Sequence, residues 1–181
     1  NELIGNPMSS YSTLLVPILE QLLVKEIGEA SIPPLKWEQL TPTRFRFEIY
    51  IEDEFNYVQV EFERGGDAAK EFFLPPAYRN VKSFYNVGFD IDGTETQYAK
   101  TKLKTLLQIM STMVDIVKFF IKTRQPDALS FIAIEKNRDS NNMQKSNLYQ
   151  AFIKKGISSI PGYTSDTYKD FYIIVKNAKT R

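Results

Sequence analysis

Apolar and polar residues alternate over the stretch 85–91. A period of two is typical of a strand with one buried face. Over 103–121, apolar residues instead recur at steps of three and four, which predicts a long helix with one apolar face that ends before Pro126. The stretch 128–134 is apolar on both parities, so we predict a strand that is covered on both faces.

The rest of the chain supplies further strands. The alternating stretches 44–51 and 58–63 are separated by a short acidic turn, which predicts an antiparallel hairpin. A shorter helix is predicted between Ser140 and Gly156, then a loop over 157–167 and a final strand over 171–175. A strand, a helix and a strand at the centre of this order indicate a βαβ crossover. The predicted fold class is therefore α+β: a mixed, mostly antiparallel sheet flanked by helices, with one long central amphipathic helix.

The chain divides into two predicted parts. Residues 1–42 form an N-terminal arm, a helix and a proline-containing linker, and residues 43–181 form a single α+β domain. The apolar face of the N-terminal helix includes Leu15, Leu19 and Leu22. This face either packs on the domain or docks onto a partner protein, and the pattern is compatible with both.

An excursion over 65–80 is a second candidate for contact with a partner. It opens with two glycines and contains a pair of prolines, so it is predicted to lie between strands rather than within one. Its aromatic residues are Phe72, Phe73 and Tyr78. We predict that the excursion is either a lid or an interface patch.

Composition removes several classes of function. The 181 residues contain 23 basic and 22 acidic side chains, and this balance gives no sign of a nucleic-acid footprint. The absence of cysteine and histidine excludes disulfides, thiolate chemistry, zinc sites and Ser-His-Asp triads. No apolar run is long enough to span a bilayer, so no membrane association is expected.

Two groups of charged residues have alternative interpretations. Asp90, Asp92 and Glu95 could hold a hard cation such as Mg²⁺, but solvated carboxylates at the end of a strand are the simpler explanation, and we predict no metal. Lys136 and Arg138 could grip a phosphate or an acidic partner, or lie in a solvated loop.

The order of elements, together with Asn137, the run Asn147-Leu148-Tyr149 and Gly162-Tyr163, resembles the core of GNAT-type acetyltransferases. The resemblance implies that a strand-to-helix turn cradles the pyrophosphate of acetyl-CoA and that a tyrosine lies near the thiolate leaving group. The turn would be formed by Gly93, Thr94, Glu95 and Thr96, and the tyrosine would be Tyr149. The turn carries one glycine, and Thr94 with Gln97 also fits a plain helix cap.

Several local sequences resemble small uncharacterised α+β proteins of tailed phages. These are Ile91-Asp92-Gly93-Thr94, the helix segment 109–118, Pro126-Asp127, Phe131-Ile132-Ala133 and Leu148-Tyr149. The resemblance implies a phage context and carries no settled activity with it.

We therefore predict a non-enzymatic phage protein, either a virion-associated structural component or an accessory factor, located in the virion or the host cytoplasm. It would act without a cofactor, through contacts with virion subunits, other proteins or a second copy of itself. The predicted contact residues are Phe72, Phe73, Tyr78, Leu15, Leu19 and Leu22. The alternative is a GNAT-like acyltransferase that uses acetyl-CoA, with positioning supplying much of the rate.

Overall fold

The computed structural model describes residues 32–91, 103–132, 155–156, 160–169 and 171–178. The strands over these ranges are β1 (Trp37–Thr41), β2 (Arg44–Ile51), β3 (Glu54–Arg64), β4 (Phe84–Ile91), β5 (Ala128–Ile132), β6 (Tyr163–Tyr168) and β7 (Phe171–Lys176). The helices are α1 (Asp67–Phe73) and α2 (Leu103–Arg124), and Pro76–Tyr78 forms one 3-10 turn.

The described strands form one seven-stranded sheet in the order β1-β2-β3-β4-β5-β7-β6. Strands β4 and β5 are parallel, with pairs from Phe84–Ala128 to Val87–Phe131. All other neighbours are antiparallel. Helix α2 lies in the chain between the two parallel strands, as a parallel connection requires. The predicted α+β class with a mixed, mostly antiparallel sheet is confirmed.

One face of the sheet, here called the inner face, packs against α2. Alternation along the strands brings one parity of each strand to this face, as expected for a period of two. The Phe62 and Phe120 rings stack with centroids 3.8 Å apart, which joins β3 to the helix. Burying each such side chain contributes about 1.5–3 kcal/mol. The strand residues of this core include Phe45, Phe47, Ile49, Val58, Val60, Phe62, Tyr85, Val87, Leu129, Phe131, Tyr172 and Ile174.

The opposite face, here called the outer face, is covered over β4, β5 and β7 by the segment 65–83. A second, smaller core forms there from Leu74, Val81, Phe84, Ala128, Ile173 and Val175. The chain passes close to β4 at Gly65, where a Cβ atom would lie 2.5 Å from Cδ1 of Phe84. Only glycine allows this approach without displacing the Phe84 ring.

Hydrogen bonds fasten the covering segment to the far edge of the sheet. The Arg79 guanidinium donates to the carbonyl oxygen of Leu74 at 3.0 Å and to the Tyr168 hydroxyl at 3.3 Å. The Tyr78 hydroxyl donates to Asp166 at 3.4 Å. The segment is therefore tied to β6.

The segment before β2 differs from its predicted role as a linker. Residues 37–41 form the edge strand β1, which pairs with β2. The Trp37 indole NH donates to Asp115 Oδ2 at 2.8 Å, and the backbone NH of Leu35 donates to the Thr112 hydroxyl at 2.8 Å. These bonds hold the segment across α2. The proposed division at residue 42 stays a prediction, because residues 1–31 lie outside the described part of the chain.

Two other stretches differ from the sequence expectation. The hairpin turn is formed by Glu52 and Asp53, both with positive φ angles (50° and 65°), so β3 begins already at Glu54. Positive φ at both central residues matches the right-handed twist of a hairpin. The predicted loop 157–167 contains most of β6, whose residues Thr164 to Thr167 are all exposed. Because neither set of alternate residues in this edge strand is buried, its sequence does not show the alternation of apolar and polar residues from which a strand is predicted.

Candidate functional site

Among the described residues, no element covers the outer face over β2 and β3. The second core contains no residue of either strand, and the outward parity of both strands is mostly exposed. The outward side chains of β2 and β3 are therefore available for contact with another molecule.

A shallow groove of about 320 Å³ runs over the outer face of β2, β3 and β4. Its outward side chains come from Arg44, Gln59, Glu61, Glu63, Asn86 and Asp90. Gly88 lies among them, and a Cβ atom there would meet no atom within 4 Å. The missing side chain keeps the groove floor low. Ser130 donates a hydrogen bond of 2.9 Å to Asn86 Oδ1, which fixes the orientation of that amide.

The groove and its rim are more acidic than basic. Arg44 pairs with Glu61 at 3.2 Å, and Arg46 pairs with Glu38. The hydrogen bond to Glu38 raises the pKa of Arg46. Glu63 and Asp90 are exposed and form no ion pair with another described residue. Exposed pairs of this kind contribute little to stability, so the charge pattern matters mainly for recognition.

Beside the groove, three rings form an aromatic patch, defined here as Tyr50, Phe55 and Tyr57. Tyr50 and Phe55 face each other across the hairpin with ring centroids 5.8 Å apart, and Phe55 and Tyr57 lie 4.8 Å apart. The Arg46 guanidinium lies 4.5 Å from the centroid of the Tyr57 ring. Tyr50 is 65% exposed and Phe55 is 46% exposed. The three rings contact one another, but they are not packed into a hydrophobic core.

The predicted contact residues of the excursion have different environments. Phe72 is 57% exposed, and Lys169 Nζ lies 5.4 Å from its ring centroid. Phe73 and Tyr78 are partly buried against the second core. The excursion therefore presents one aromatic ring to solvent and uses the others to cover the sheet. Leu15, Leu19 and Leu22 lie outside the described residues.

A different region lies toward the carboxyl ends of the described parallel strands. The described pairing of β4 and β5 ends at Val87–Phe131, whereas β4 continues to Ile91. In the same row, Tyr172 pairs with Phe131 across β5 and β7. The predicted acetyl-CoA residues Gly93, Thr94, Glu95 and Thr96 would follow β4, but they and Tyr149 lie outside the described residues.

The hydroxyl group of Tyr172 is buried and has no hydrogen-bond partner among the described residues. Burial raises the pKa of Tyr172, and the nearby Ser165 side chain partly opposes this rise. The Ser165 side chain therefore lies near the Tyr172 hydroxyl without forming a hydrogen bond to it. A buried, unpartnered hydroxyl is uncommon in a folded protein.

The structure describes only one of the three carboxylates that were considered as metal ligands, so the predicted absence of a metal site stays a prediction. Asp90 is exposed on the outer face, while Asp92 and Glu95 lie outside the described residues. Within the described ranges, no three carboxylate side chains come close enough together to hold a metal ion. Lys136 and Arg138 also lie outside these ranges.

The described helices include none with the length and apolar character needed to cross a membrane. Comparison of the chain with protein-family models, with curated proteins and with solved structures gives no match. The candidate site therefore rests on geometry alone.

Sequence reasoning missed the aromatic patch. Tyr50 follows Ile49 on the polar parity of a predicted strand, and this parity already places its ring outward. Phe55 stood at the end of the predicted acidic turn, so its cross-strand partner could not be assigned. The sequence did contain one signal, which is an aromatic residue at a strand position that faces away from the core. An exposed aromatic residue at such a position indicates a possible contact surface.

Proposed function

We propose that this chain acts through contacts with other proteins, as a virion-associated or accessory component in the phage context that the resemblance implies. The virion or the host cytoplasm would then be its location. The observation that carries the proposal is the aromatic patch, in which Tyr50 and Phe55 are exposed side by side at the end of the β2–β3 hairpin. Aromatic side chains in such positions are enriched among residues that dominate binding energy at interfaces.

The surroundings of the patch support a contact surface. Arg46 lies over Tyr57, and Glu48 pairs with Tyr57 across the two strands. Rings at the centre with charged groups at the rim are the usual arrangement of a protein interface. The strands fix the ring positions before binding, so little conformational entropy is lost on association.

Photocrosslinking tests this proposal directly. A benzoyl-phenylalanine probe replaces Phe55 in one variant and Leu40 in a second. Both variants are expressed in the natural host cells, so that the native partner proteins are present. Leu40 is a matched control, because it is 44% exposed and lies on the edge strand β1, away from the patch. We expect a defined adduct from position 55 and none from position 40. Equal labelling at both positions, or none at either, contradicts the assignment of the patch.

A third probe at Phe72 examines the surface predicted from the sequence. An adduct from position 72 without one from position 55 would keep a contact function but move the surface to the excursion. This outcome separates the choice of surface from the choice of function.

An acyltransferase is the second candidate function. Its support is that β4 and β5 are parallel and that α2 lies between them in the chain. Ligands often bind at the carboxyl ends of such strands, near the start of the next helix. In this alternative the order of elements is GNAT-like, α2 is the central helix, and acetyl-CoA is held by residues 93–96 with Tyr149 near the thiolate.

Calorimetry with acetyl-CoA distinguishes the two candidates. Micromolar affinity, equivalent to about −8 kcal/mol, would favour the acyltransferase. A Tyr149→Phe variant with normal cofactor binding and reduced turnover would then support the role of Tyr149. Absence of binding at millimolar acetyl-CoA removes this candidate and leaves the contact function.

A further inference from the structure

The end of the β2–β3 hairpin combines acidic and aromatic groups. We call residues 50–55 the acidic tip. Glu52, Asp53 and Glu54 are all exposed there, between the exposed rings of Tyr50 and Phe55. Three adjacent carboxylates beside two rings form a protruding surface that is both negatively charged and apolar.

A cleft with the opposite charge lies at the end of α2. It has a volume of about 410 Å³ and is here called the basic cleft. Its lining consists of Lys118, Ile121, Lys122, Gln125, Ile160, Pro161 and Tyr163. Lys118 and Lys122 are exposed and form no ion pair with another described residue. The cleft therefore presents an apolar floor with two cationic groups at its rim.

The acidic tip and the basic cleft lie at opposite ends of the sheet. Val58 pairs with Ile91 at the end of β4, and the hairpin turn lies beyond that pair. Tyr163 pairs with Lys176 beside the start of β5, and its hydroxyl donates to the carbonyl oxygen of Pro126 at 2.8 Å. The eight residues of β4 alone span about 23 Å between these ends. The two surfaces cannot meet within one molecule.

We propose that the acidic tip of one copy docks into the basic cleft of a second copy. This inference rests on the proposed contact function and names its partner as the same chain. The carboxylates of the tip would pair with Lys118 and Lys122, while Phe55 would enter the apolar part of the cleft. A cleft of this volume lies within the range that accepts small organic groups, which is sufficient for one aromatic ring.

The contact is heterologous, because it joins two different surfaces. Each copy offers a tip at one end and keeps a cleft at the other, so association is head-to-tail. Such contacts give a closed ring when the rotation between copies closes, and an open filament when it does not. Opposite charges at the two surfaces also favour this register over a tip-to-tip or cleft-to-cleft contact.

Sedimentation velocity of the full chain, measured over a range of protein and salt concentrations, tests the proposal. We expect species larger than a monomer that grow with protein concentration. Their association constant should fall at least about tenfold between about 50 mM and about 500 mM NaCl, since salt screens exposed charges. A chain that remains monomeric under all these conditions overturns the proposal.

Charge reversal identifies the surfaces. Glu52→Lys with Glu54→Lys gives the tip variant, and Lys118→Glu with Lys122→Glu gives the cleft variant. We expect each to be monomeric alone and a mixture of the two to associate again, because each reversed surface then meets its complement. Recovery in the mixture cannot result from misfolding. Self-association that is unchanged in either variant, or not recovered in the mixture, overturns the proposal.

The outcome is separable from that of the proposed function. A monomeric chain that still forms a position-55 adduct with another protein would contradict the second copy as partner while supporting a contact function. A chain that associates head-to-tail in solution but gives no adduct at position 55 would support the tip-to-cleft contact and contradict its use in the native setting.

Discussion

Tyr50 and Phe55 lie opposite each other at the end of the β2–β3 hairpin, with ring centroids 5.8 Å apart and an interplanar angle of 73°. This edge-to-face contact links two rings that both remain exposed. The pair is ordered without being part of a core, which is the arrangement expected of a preformed contact surface.

Truncation of this pair should have little effect on folding. For Tyr50→Ala and Phe55→Ala we expect the free energy of unfolding to fall by less than about 1 kcal/mol each, with a coupling energy of roughly 0.5–1 kcal/mol in a double-mutant cycle. Chemical denaturation of the four proteins in the cycle measures this. A loss comparable to that of a buried phenylalanine, about 3–5 kcal/mol, would mean that the pair is a core element in solution.

The glycine pair at the start of the excursion offers a matched comparison. Gly65→Ala should destabilise the fold by roughly 1–3 kcal/mol, because the new Cβ would lie 2.5 Å from the Phe84 ring. Gly66→Ala is the control, since a Cβ there meets nothing within 4 Å. Gly66 is the N-cap of α1, where alanine is a poorer cap than glycine, so we expect a loss of less than about 1 kcal/mol from this exchange. Equal denaturation midpoints for the two variants would contradict the close approach at Gly65.

Tyr163 makes stability depend on pH in the alkaline range. Burial, with a contribution from the Asp127 carboxylate, raises the pKa of Tyr163 to about 12. The unfolded chain releases this proton near pH 10, whereas the folded chain retains it, so the free energy of unfolding falls as pH rises from about 10 to about 12. The loss is on the order of 2 kcal/mol.

Tyr163→Phe isolates this effect. The variant loses the hydrogen bond to Pro126 and should be about 1 kcal/mol less stable near pH 8. Its stability should then decline less steeply than that of the wild type above pH 10. The two proteins share every other titratable group, so the difference between the two curves is the relevant quantity. Parallel curves would show that Tyr163 titrates normally.

Tyr172→Phe separates a structural from a ligand-binding explanation of the buried hydroxyl. Because the hydroxyl lacks a described hydrogen-bond partner, its removal should leave stability unchanged or raise it by up to about 1 kcal/mol. Thermal and chemical denaturation measure this. A clear loss of stability would indicate a hydrogen bond in solution, and a loss of acetyl-CoA binding without a change in stability would favour the acyltransferase.

Much of the sheet follows from patterns in the sequence. The alternation in β2 assigns Phe45, Phe47, Ile49 and Ile51 to the inner face, where all four are buried. The same alternation identifies β4, and the apolar recurrence in α2 identifies its packed face. These elements are predictable because each has one buried side, which imposes a period on the residues that fill it.

The edge strands follow less directly. In β1 only Trp37 is partly buried, and in β6 only Tyr163 is buried. Neither strand therefore shows a repeated alternation of buried and exposed residues. Their strand conformation comes from pairing with a neighbour that the sequence does not reveal. The parallel pairing of β4 with β5 was implied by the helix between them, whereas the position of β7 between β5 and β6 was not.

The candidate sites divide in a similar way. The aromatic patch depends on which residues face each other across a hairpin, and this requires the position of the turn. The turn residues Glu52 and Asp53 both have positive φ angles, but neither is a glycine or an asparagine, the residues from which such a turn is usually predicted. The predicted residues Gly93 to Thr96 and Tyr149 stay predictions, since their geometry lies outside the described part of the chain.

The central claim is that the exposed hairpin rings bind a protein partner. Its most direct test is to titrate the partner captured at position 55 against the wild type, Phe55→Ala and the matched control Leu40→Ala. We predict that Phe55→Ala weakens the affinity by about thirtyfold or more, as expected for an interface hot spot of about 2 kcal/mol, and that Leu40→Ala has no effect. Equal affinities for Phe55→Ala and the wild type, with both proteins folded, would contradict the account.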